Sequence, residues 1–298
     1  MCEMLTIFTP TYNRRHILPR LYDSLCAQTS KDFVWLVVDD GSTDQTFELF
    51  EEWQKEKKIN ISFYQQKNQG KSVAMNKGIN ECKTKLFTCV DSDDYLVNEA
   101  VNSILDTWMH CHPYSIGILC LREVSKVPNA MKTNDFYTTL RDAYCKYGLH
   151  GDTMLVFRSD IIKRFQFPSF DGEKFVPEDY LYDKIDKEGK LKFLNKVLYK
   201  GQYLEDGYTA EMAKLIKNNP QGYHAFICQR LSYDDTLKQR ILDTIRHIAI
   251  NKVLESKGLK YQVIYPWLYA LLYPLGYIFY CKRYKLVSYT HLTLPTIA

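Results

Sequence analysis

With 298 residues, 46% hydrophobic and 14% aromatic, the chain can bury a substantial core, as one large domain or a domain with an appendage. A net charge of +4 without a basic arm excludes a nucleic-acid polyanion as the expected partner. Nine scattered cysteines with no Cys-x-x-Cys pair argue against a disulfide framework, and Met1 leads into an apolar stretch without a signal-peptide pattern, so a cytoplasmic setting is expected.

The first ~125 residues alternate strands and helices, as in a parallel sheet with crossover helices. Leu5–Thr9 reads as a strand, and Ile17, Leu18, Leu21 and Leu25 recur at helical spacing, with Pro19 tolerable near a helix start. The continuous apolar run Phe33–Val38 fits a strand covered on both faces. It ends in Asp39-Asp40-Gly41-Ser42. Ser42 and Gln45 form a capping-box pattern for a helix whose Phe47, Phe50 and Trp53 would face the sheet. Ile59–Tyr64 is a third strand, and Gly70–Cys82 a helix with Ala74, Gly78 and Cys82 as its close-packing face. Leu86–Val90 and Ile116–Leu121 supply two more strands, and Ser125–Gly151 reads as a surface excursion. Thr153–Phe157 is a strand followed by a helix capped by Ser159 or Asp160, Pro177-Glu178-Asp179 opens another helix, and Leu191–Leu204 looks extended. Ile241, Ile245 and Ile248 mark an amphipathic helix ending at Gly258.

Val263–Tyr280 holds no charged residue, and its Tyr265, Tyr269, Tyr273 and Tyr277 recur every four positions. A span needs about 20 apolar residues, whereas this stretch contains Pro266 and Pro274 and is rich in Tyr. The flanking Lys282, Arg283 and Lys285 favour a helix lying on the inner membrane surface over a true span or a core helix. Ser288–Ala298 has neither period nor charge and reads as a disordered or non-native tail.

Chemistry concentrates in Asp91-Ser92-Asp93-Asp94, where an apolar strand ends in three carboxylates. Crowding that much negative charge is costly without a positive partner, and a hard divalent cation, Mn²⁺ or Mg²⁺, with a phosphate ligand is the natural one. An acidic turn is the simpler alternative. His110-Cys111-His112 has metal-ligand residue types but no second cluster at matching spacing, and reads as a helix end before Pro113. Ligand-type residues thus follow three separate strands, at Thr9 to Asn13, Asp39 to Ser42 and Asp91 to Asp94, on the edge where α/β sheets bind ligands.

Thr9-Pro10-Thr11-Tyr12-Asn13, Val38-Asp39-Asp40-Gly41-Ser42-Thr43-Asp44, Gly70 to Gly78 and Asp91-Ser92-Asp93-Asp94 together resemble family 2 glycosyltransferases, inverting nucleotide-sugar enzymes of the GT-A fold. The resemblance implies an α/β fold: a GT-A-type Rossmann-like nucleotide-binding sheet with crossover helices, then a mostly helical C-terminal extension. Residues 1–205 would be the catalytic domain, with 1–125 the nucleotide-sugar half and 126–205 the acceptor half; 206–287 would be the extension, and 288–298 the tail. It further implies that Pro10, Thr11, Tyr12, Asp40, Lys71 and Asp91 hold the nucleotide, with Asp40 accepting from an imide N–H as in uracil. Asp93 would ligate Mn²⁺ or Mg²⁺, Asp94 and Asp152 would contact donor sugar or acceptor, and Asp179, with Glu178 as alternative, would be the base. The expected donor is a UDP-sugar, and the expected acceptor a glycan or lipid-linked hydroxyl in surface-polysaccharide synthesis. A sugar-nucleotidyltransferase is disfavoured because Thr9–Arg15 contains no glycine, and a non-catalytic nucleotide-sugar-binding protein because the acidic set is intact.

Overall fold

The computed structural model describes residues 3–123, 125–133, 135–201, 212–233 and 236–285. They fall into two compact units, one from the segments up to Phe167 and from Leu181 to Gly201, the other from Pro168–Tyr180 and the residues from Met212 on.

The first unit runs β1 (Leu5–Thr11), α1 (Leu18–Cys26), β2 (Phe33–Asp39), α2 (Thr46–Glu56), β3 (Asn60–Gln65), α3 (Lys71–Glu81), β4 (Leu86–Cys89), β5 (Asp94–Leu96) and α4 (Ala100–Met109). It continues with β6 (Gly117–Arg122), β7 (Tyr137–Thr138), α5 (Leu140–Cys145), β8 (Thr153–Arg158) and α6 (Ser159–Ile162), and closes with α7 (Asp179–Ile185), whose first residues belong to the second unit, and β9 (Leu191–Gly201). The strands form one sheet in the order β3-β2-β1-β4-β8-β6-β9-β5, with β7 beside β9. β1 to β4 are mutually parallel, and β6 and β9 run the same way because β8, antiparallel to both β4 and β6, lies between. Six strands therefore present their carboxyl ends at one edge.

The core forms where the sequence alternates least. Trp35 is fully buried between Phe50, Trp53 and Tyr22, with the Tyr22 and Trp53 rings stacked 4.2 Å apart. Such rings contribute apolar area and preferred stacking geometry together. Gly78 lets α3 lie against β1, since a Cβ there would meet the Phe8 ring at 2.2 Å. Two local expectations fail. Phe47 is 42% exposed, touching Phe63 at its edge instead of entering the core. Ser42 does not cap α2; its hydroxyl bonds Asp39, and α2 starts after Gln45 in a left-handed conformation with no side-chain cap. The 125–151 stretch is also more than an excursion, since it contributes β7, α5 and the buried Met131, Ala143 and Leu149.

The second unit holds α8 (Met212–Asn218), α9 (Pro220–Leu231), α10 (Leu237–Ser256) and α11 (Pro266–Tyr280). Pro168–Tyr180 joins it for a local reason. The Glu173 carboxylate accepts the orphan N–H groups of Gln221 and Gly222 at the start of α9, both at 2.8 Å, and Asn219 Oδ1 accepts Lys174 N–H at 2.7 Å. The unit boundary thus differs from a single division at residue 205. α11 packs Leu268, Leu272 and Gly276 inward, with Gly276 against Ile248 of α10. No helix among the described residues is long and apolar enough to cross a membrane. Leu204 and the 288–298 tail lie outside the described residues.

Candidate active site

The loops after β1 and β2 are laced together by polar residues that cannot be satisfied within either loop alone. Asn13 takes a left-handed conformation, φ 52°, which Asn tolerates better than most residues. Its N–H donates to Ser42 Oγ at 2.8 Å, and its Oδ1 accepts from Thr43 N–H at 2.8 Å. Asp44 accepts from Arg15 N–H at 2.9 Å. Asp39, fully buried, accepts from the Ser42 amide and hydroxyl and from Gln65 Nε2. These donors replace the water that a buried carboxylate would otherwise lose.

Asp40 differs from its expectation as a carboxylate open to the cleft. It is 5% exposed, and its two oxygens accept from Gln66 Nε2 at 2.7 Å, Gln69 N–H at 2.9 Å and Gly70 N–H at 2.7 Å. Burial selects these partners, because an acid at the end of a covered strand must find donors nearby. Gly70 sits at φ 92°, a conformation that favours glycine, so the β3–α3 loop reaches Asp40 without strain. Asp40 thereby fixes the start of α3, and with it Lys71. The Lys71 ammonium pairs with Asp91 at 2.6 Å.

The acidic loop follows β4. Asp91 N–H donates to the Tyr199 hydroxyl at 3.0 Å, and that hydroxyl donates to Asp94 Oδ2 at 2.7 Å. Arg122 reaches the same oxygen at 3.0 Å, lies 4.3 Å over the Tyr199 ring, and holds its other terminal nitrogen 3.9 Å from Asp152. Gly201 completes the packing, since a Cβ there would stand 1.7 Å from Asp94 Oδ1. Burial pushes the Asp94 carboxyl up to about 6, outweighing the Tyr199 hydrogen bond and the Arg122 charge. Asp93 is also raised, first by burial and then by the neighbouring Asp91 charge. Burial likewise raises the Tyr199 hydroxyl far above its usual range, so it remains a donor.

Asp91, Asp93 and Asp94 each present an oxygen, and these oxygens lie within 4.8 Å of one another. The donor set is all hard oxygen and fits Mg²⁺ or Mn²⁺. Asp91 and Asp94 each already face a cationic side chain, whereas Asp93 has no ion pair among the described residues. Asp93 is thus the acid of the three without a direct ion pair, although the Arg14 and Lys71 charges partly offset the burial and the Asp91 charge that raise it.

Of the other expected residues, Pro10 and Thr11 end β1, and the buried Thr11 Oγ1 has no hydrogen-bond partner among the described residues. Tyr12 follows with its side chain 48% exposed. Asp152 immediately precedes β8 at the same sheet edge. Glu178 and Asp179 belong to the second unit, at the N-terminus of α7, where Tyr180 N–H bonds the Pro177 carbonyl at 3.0 Å and acids suit the helix dipole. Sequence reasoning missed Arg122, Tyr199 and Gly201. Arg122 carried a readable signal, a cation closing the apolar strand Gly117–Leu121, but its partner Asp94 is 28 residues away.

The chain matches the family model described as Glycosyl transferase family 2 over residues 6–164, more than half its length. It is 35% identical over 102 residues to glycosyltransferase GlyA of Streptococcus pneumoniae, covering 34% of this chain and 14% of GlyA. It is 34% identical over 103 residues to a teichoic acid poly(glycerol phosphate) polymerase of Staphylococcus epidermidis, covering 34% of this chain and 14% of the polymerase. The chain therefore spans only a small part of the length of these relatives. The crystal structure of S. aureus TarS 1–349 in complex with UDP-GlcNAc superposes with a TM-score of 0.60 at 20% identity, over 85% of this chain and 73% of that one. The mannosyltransferase PcManGT from Pyrobaculum calidifontis, in complex with GDP-Man and Mn²⁺, gives 0.55 at 16% identity, over 95% of this chain and 82% of that one. These likenesses show the shared GT-A-type fold, and the match over residues 6–164, the stretch that carries the acidic loop and the interlaced loops after β1 and β2, shows that the chain belongs to glycosyl transferase family 2.

Proposed function

We propose that the chain transfers a sugar from a nucleoside diphosphate sugar to a hydroxyl acceptor with inversion at the anomeric carbon. The observation that carries this reading is the convergence of Asp91, Asp93 and Asp94 with Lys71 and Arg122 at the carboxyl edge of the sheet. Acids and cations interleaved there suit a ligand that is itself metal plus diphosphate. A bound Mn²⁺ or Mg²⁺, held by Asp93 with its acidic neighbours, would offset the charge developing on the leaving diphosphate.

The remaining roles follow from the chain's own groups. Tyr12 offers an exposed ring beside β1 for the nucleotide base. Asp40, buried and bonded to Gln66 Nε2 and the Gln69 and Gly70 amides, would serve the nucleotide by holding the β3–α3 turn beside it. A uridine diphosphate sugar is the donor we favour, a reading supported by the TarS complex with UDP-GlcNAc, a protein of this fold. Asp152 and Asp94, joined through Arg122, would meet donor-sugar hydroxyls. Asp179, with Glu178 as alternative, would take the proton from the acceptor hydroxyl.

The acceptor is a glycan or lipid-linked hydroxyl in surface-polysaccharide synthesis, a reading supported by the likeness to the teichoic acid polymerase. α11 adds to it. Trp267, Leu271, Leu275 and Ile278, spaced along one side of the helix, are 67%, 70%, 52% and 50% exposed. Lys282, Arg283 and Lys285 follow directly, a combination suited to an anionic membrane surface. A screen of UDP- and GDP-sugars with the purified protein and Mn²⁺, reading nucleoside diphosphate release, tests the central reading. Release of UDP from at least one donor is expected; pyrophosphate release in a parallel arm supplied with UTP and a sugar 1-phosphate, or no turnover of any donor with acceptor glycans present, would overturn it.

A further inference from the structure

A second group of metal-ligand side chains lies in the helical unit, on α9 and α10, which carry none of the residues assigned above. His224 and Cys228 stand one turn apart on α9, and His247 faces them from α10. Cys228 Sγ is 3.4 Å from His224 Nε2 and 4.0 Å from His247 Nδ1, and the two imidazole rings lie 5.3 Å apart, nearly parallel. One ligand atom from each residue falls within 4.8 Å of the others.

Metal–ligand bonds of about 2.3 Å to sulfur and about 2.0–2.1 Å to nitrogen, at tetrahedral angles, place sulfur and nitrogen about 3.6 Å apart. The two observed separations bracket that value. Two imidazoles and a thiol are also the borderline-soft set that selects zinc over the hard cations suited to the acidic loop. From this geometry we infer that His224, Cys228 and His247 form a zinc site that clasps α9 to α10.

The surroundings complete the site. His247 is fully buried, and its far nitrogen, Nε2, lies 3.3 Å from Asn251 Nδ2. Asn251 Oδ1 is buried without a hydrogen-bond partner among the described residues. Turning the Asn251 amide end over brings Oδ1 to the imidazole, where it accepts the Nε2 proton that a metal on Nδ1 requires. The Ile264 amide also approaches Nε2, at 3.3 Å, and in the metal-free protein it donates there while Nδ1–H faces the thiol. The Gln262 carbonyl, 3.3 Å from His224 Nε2, stands next to the position left for a fourth ligand, which a water or this carbonyl takes. On binding, the Cys228 thiol gives its proton to solvent as the zinc–sulfur bond forms. Because Gln262 and Ile264 lead into α11, the ion also fixes how that helix departs.

Cobalt substitution of the full chain tests the site. The untagged protein, stripped of metal and titrated with Co²⁺, is expected to develop the sulfur-to-cobalt charge-transfer band and the visible bands of a tetrahedral ion, saturating at one Co²⁺ per chain. Stoichiometric Zn²⁺ should erase them and raise the melting temperature. Cys228→Ser should abolish the charge-transfer band and His224→Gln the tetrahedral spectrum, whereas Asp93→Asn should leave both. No band in the wild type, or a band that survives Cys228→Ser, would overturn the assignment and leave a hydrogen-bonded trio. The wild-type titration needs no variant to fold.

Discussion

Tyr199→Phe deletes one oxygen from the acidic loop while keeping the ring under Arg122. The hydroxyl makes two hydrogen bonds, accepting from Asp91 N–H at 3.0 Å and donating to Asp94 at 2.7 Å, and the residue is 3% exposed, so water does not replace it. A neutral hydrogen bond contributes about 0.5–1.5 kcal/mol and one to a carboxylate about 1.5–3 kcal/mol, giving a loss of about 2–4 kcal/mol. Asp94 keeps Arg122 at 3.0 Å, which holds the loss towards the lower end. For a unit of this size the melting temperature should fall by about 5–10 °C. Donor hydrolysis should fall with it, because Asp91 and Asp94 lose the atom that sets their spacing. Thermal unfolding followed by circular dichroism, beside a UDP-release assay below the new midpoint, reads both. An unchanged midpoint with unchanged turnover would show that the hydroxyl does not brace the loop.

Asp93→Asn should abolish Mn²⁺-dependent UDP binding at an unchanged melting temperature, and calorimetric titration showing wild-type affinity and metal dependence would remove Asp93 as the ligand. Asp179→Asn should leave nucleotide affinity intact and lower kcat by about 10²–10⁴, the usual value of a positioned base, whereas a normal kcat with an inactive Glu178→Gln would move the base one residue back. Burial pushes the Asp186 carboxyl, which accepts from the Leu140 and Arg141 amides, up to about 6, so the folded state holds that proton more tightly than the unfolded chain does. Its contribution is fully present below about pH 4 and lost as pH rises through about 6; Asp186→Asn should remove that dependence, so a melting-temperature difference between the two proteins that stays flat from about pH 4 to 7 would contradict it. Trp267→Ser with Leu271→Ser should cut co-flotation with anionic liposomes and spare donor hydrolysis, and equal flotation of variant and wild type would detach α11 from any lipid role.

The strands and the acidic loop were legible because both rest on contiguous residues. Phe33–Val38 is apolar throughout since β2 is covered on both faces, and Asp91 to Asp94 are neighbours in the chain as in space. What stayed hidden depends on competition or on long-range pairing. Ser42 matched a capping box, but a buried Asp39 three residues earlier is a stronger claimant for its hydroxyl. Asp40 looked like an open acceptor, and only folding shows that the β3–α3 loop brings it two backbone amides. Tyr199 reaches Asp94 across 105 positions. His224 and Cys228 were readable as a helical pair, but His247 lies 19 residues beyond Cys228 on another helix, and no regular spacing announces it.

The path from β4 to β5 sets a limit on how this enzyme family member can be altered. β4 stands fourth in the sheet and β5 last, four places along, yet only Val90 to Asp93 join them. Four steps across a flat sheet measure about 19 Å. Five residue steps, from Cys89 to Asp94, reach at most about 17 Å when fully stretched. The sheet must therefore coil until its far strand leans back towards its middle, and the acidic loop is the cord drawn across that curve. The cord is not stretched: Asp94 N–H bonds the Asp91 carbonyl at 3.1 Å, closing a turn that gathers the three acids. The turn shortens the reach below its extended limit, so the sheet must bend further still, and the spacing of the carboxylates is set by the turn itself. An inserted residue would open that turn and spread the acids before it strained β5, so tuning of this site through evolution or design falls to side-chain changes that leave the turn closed.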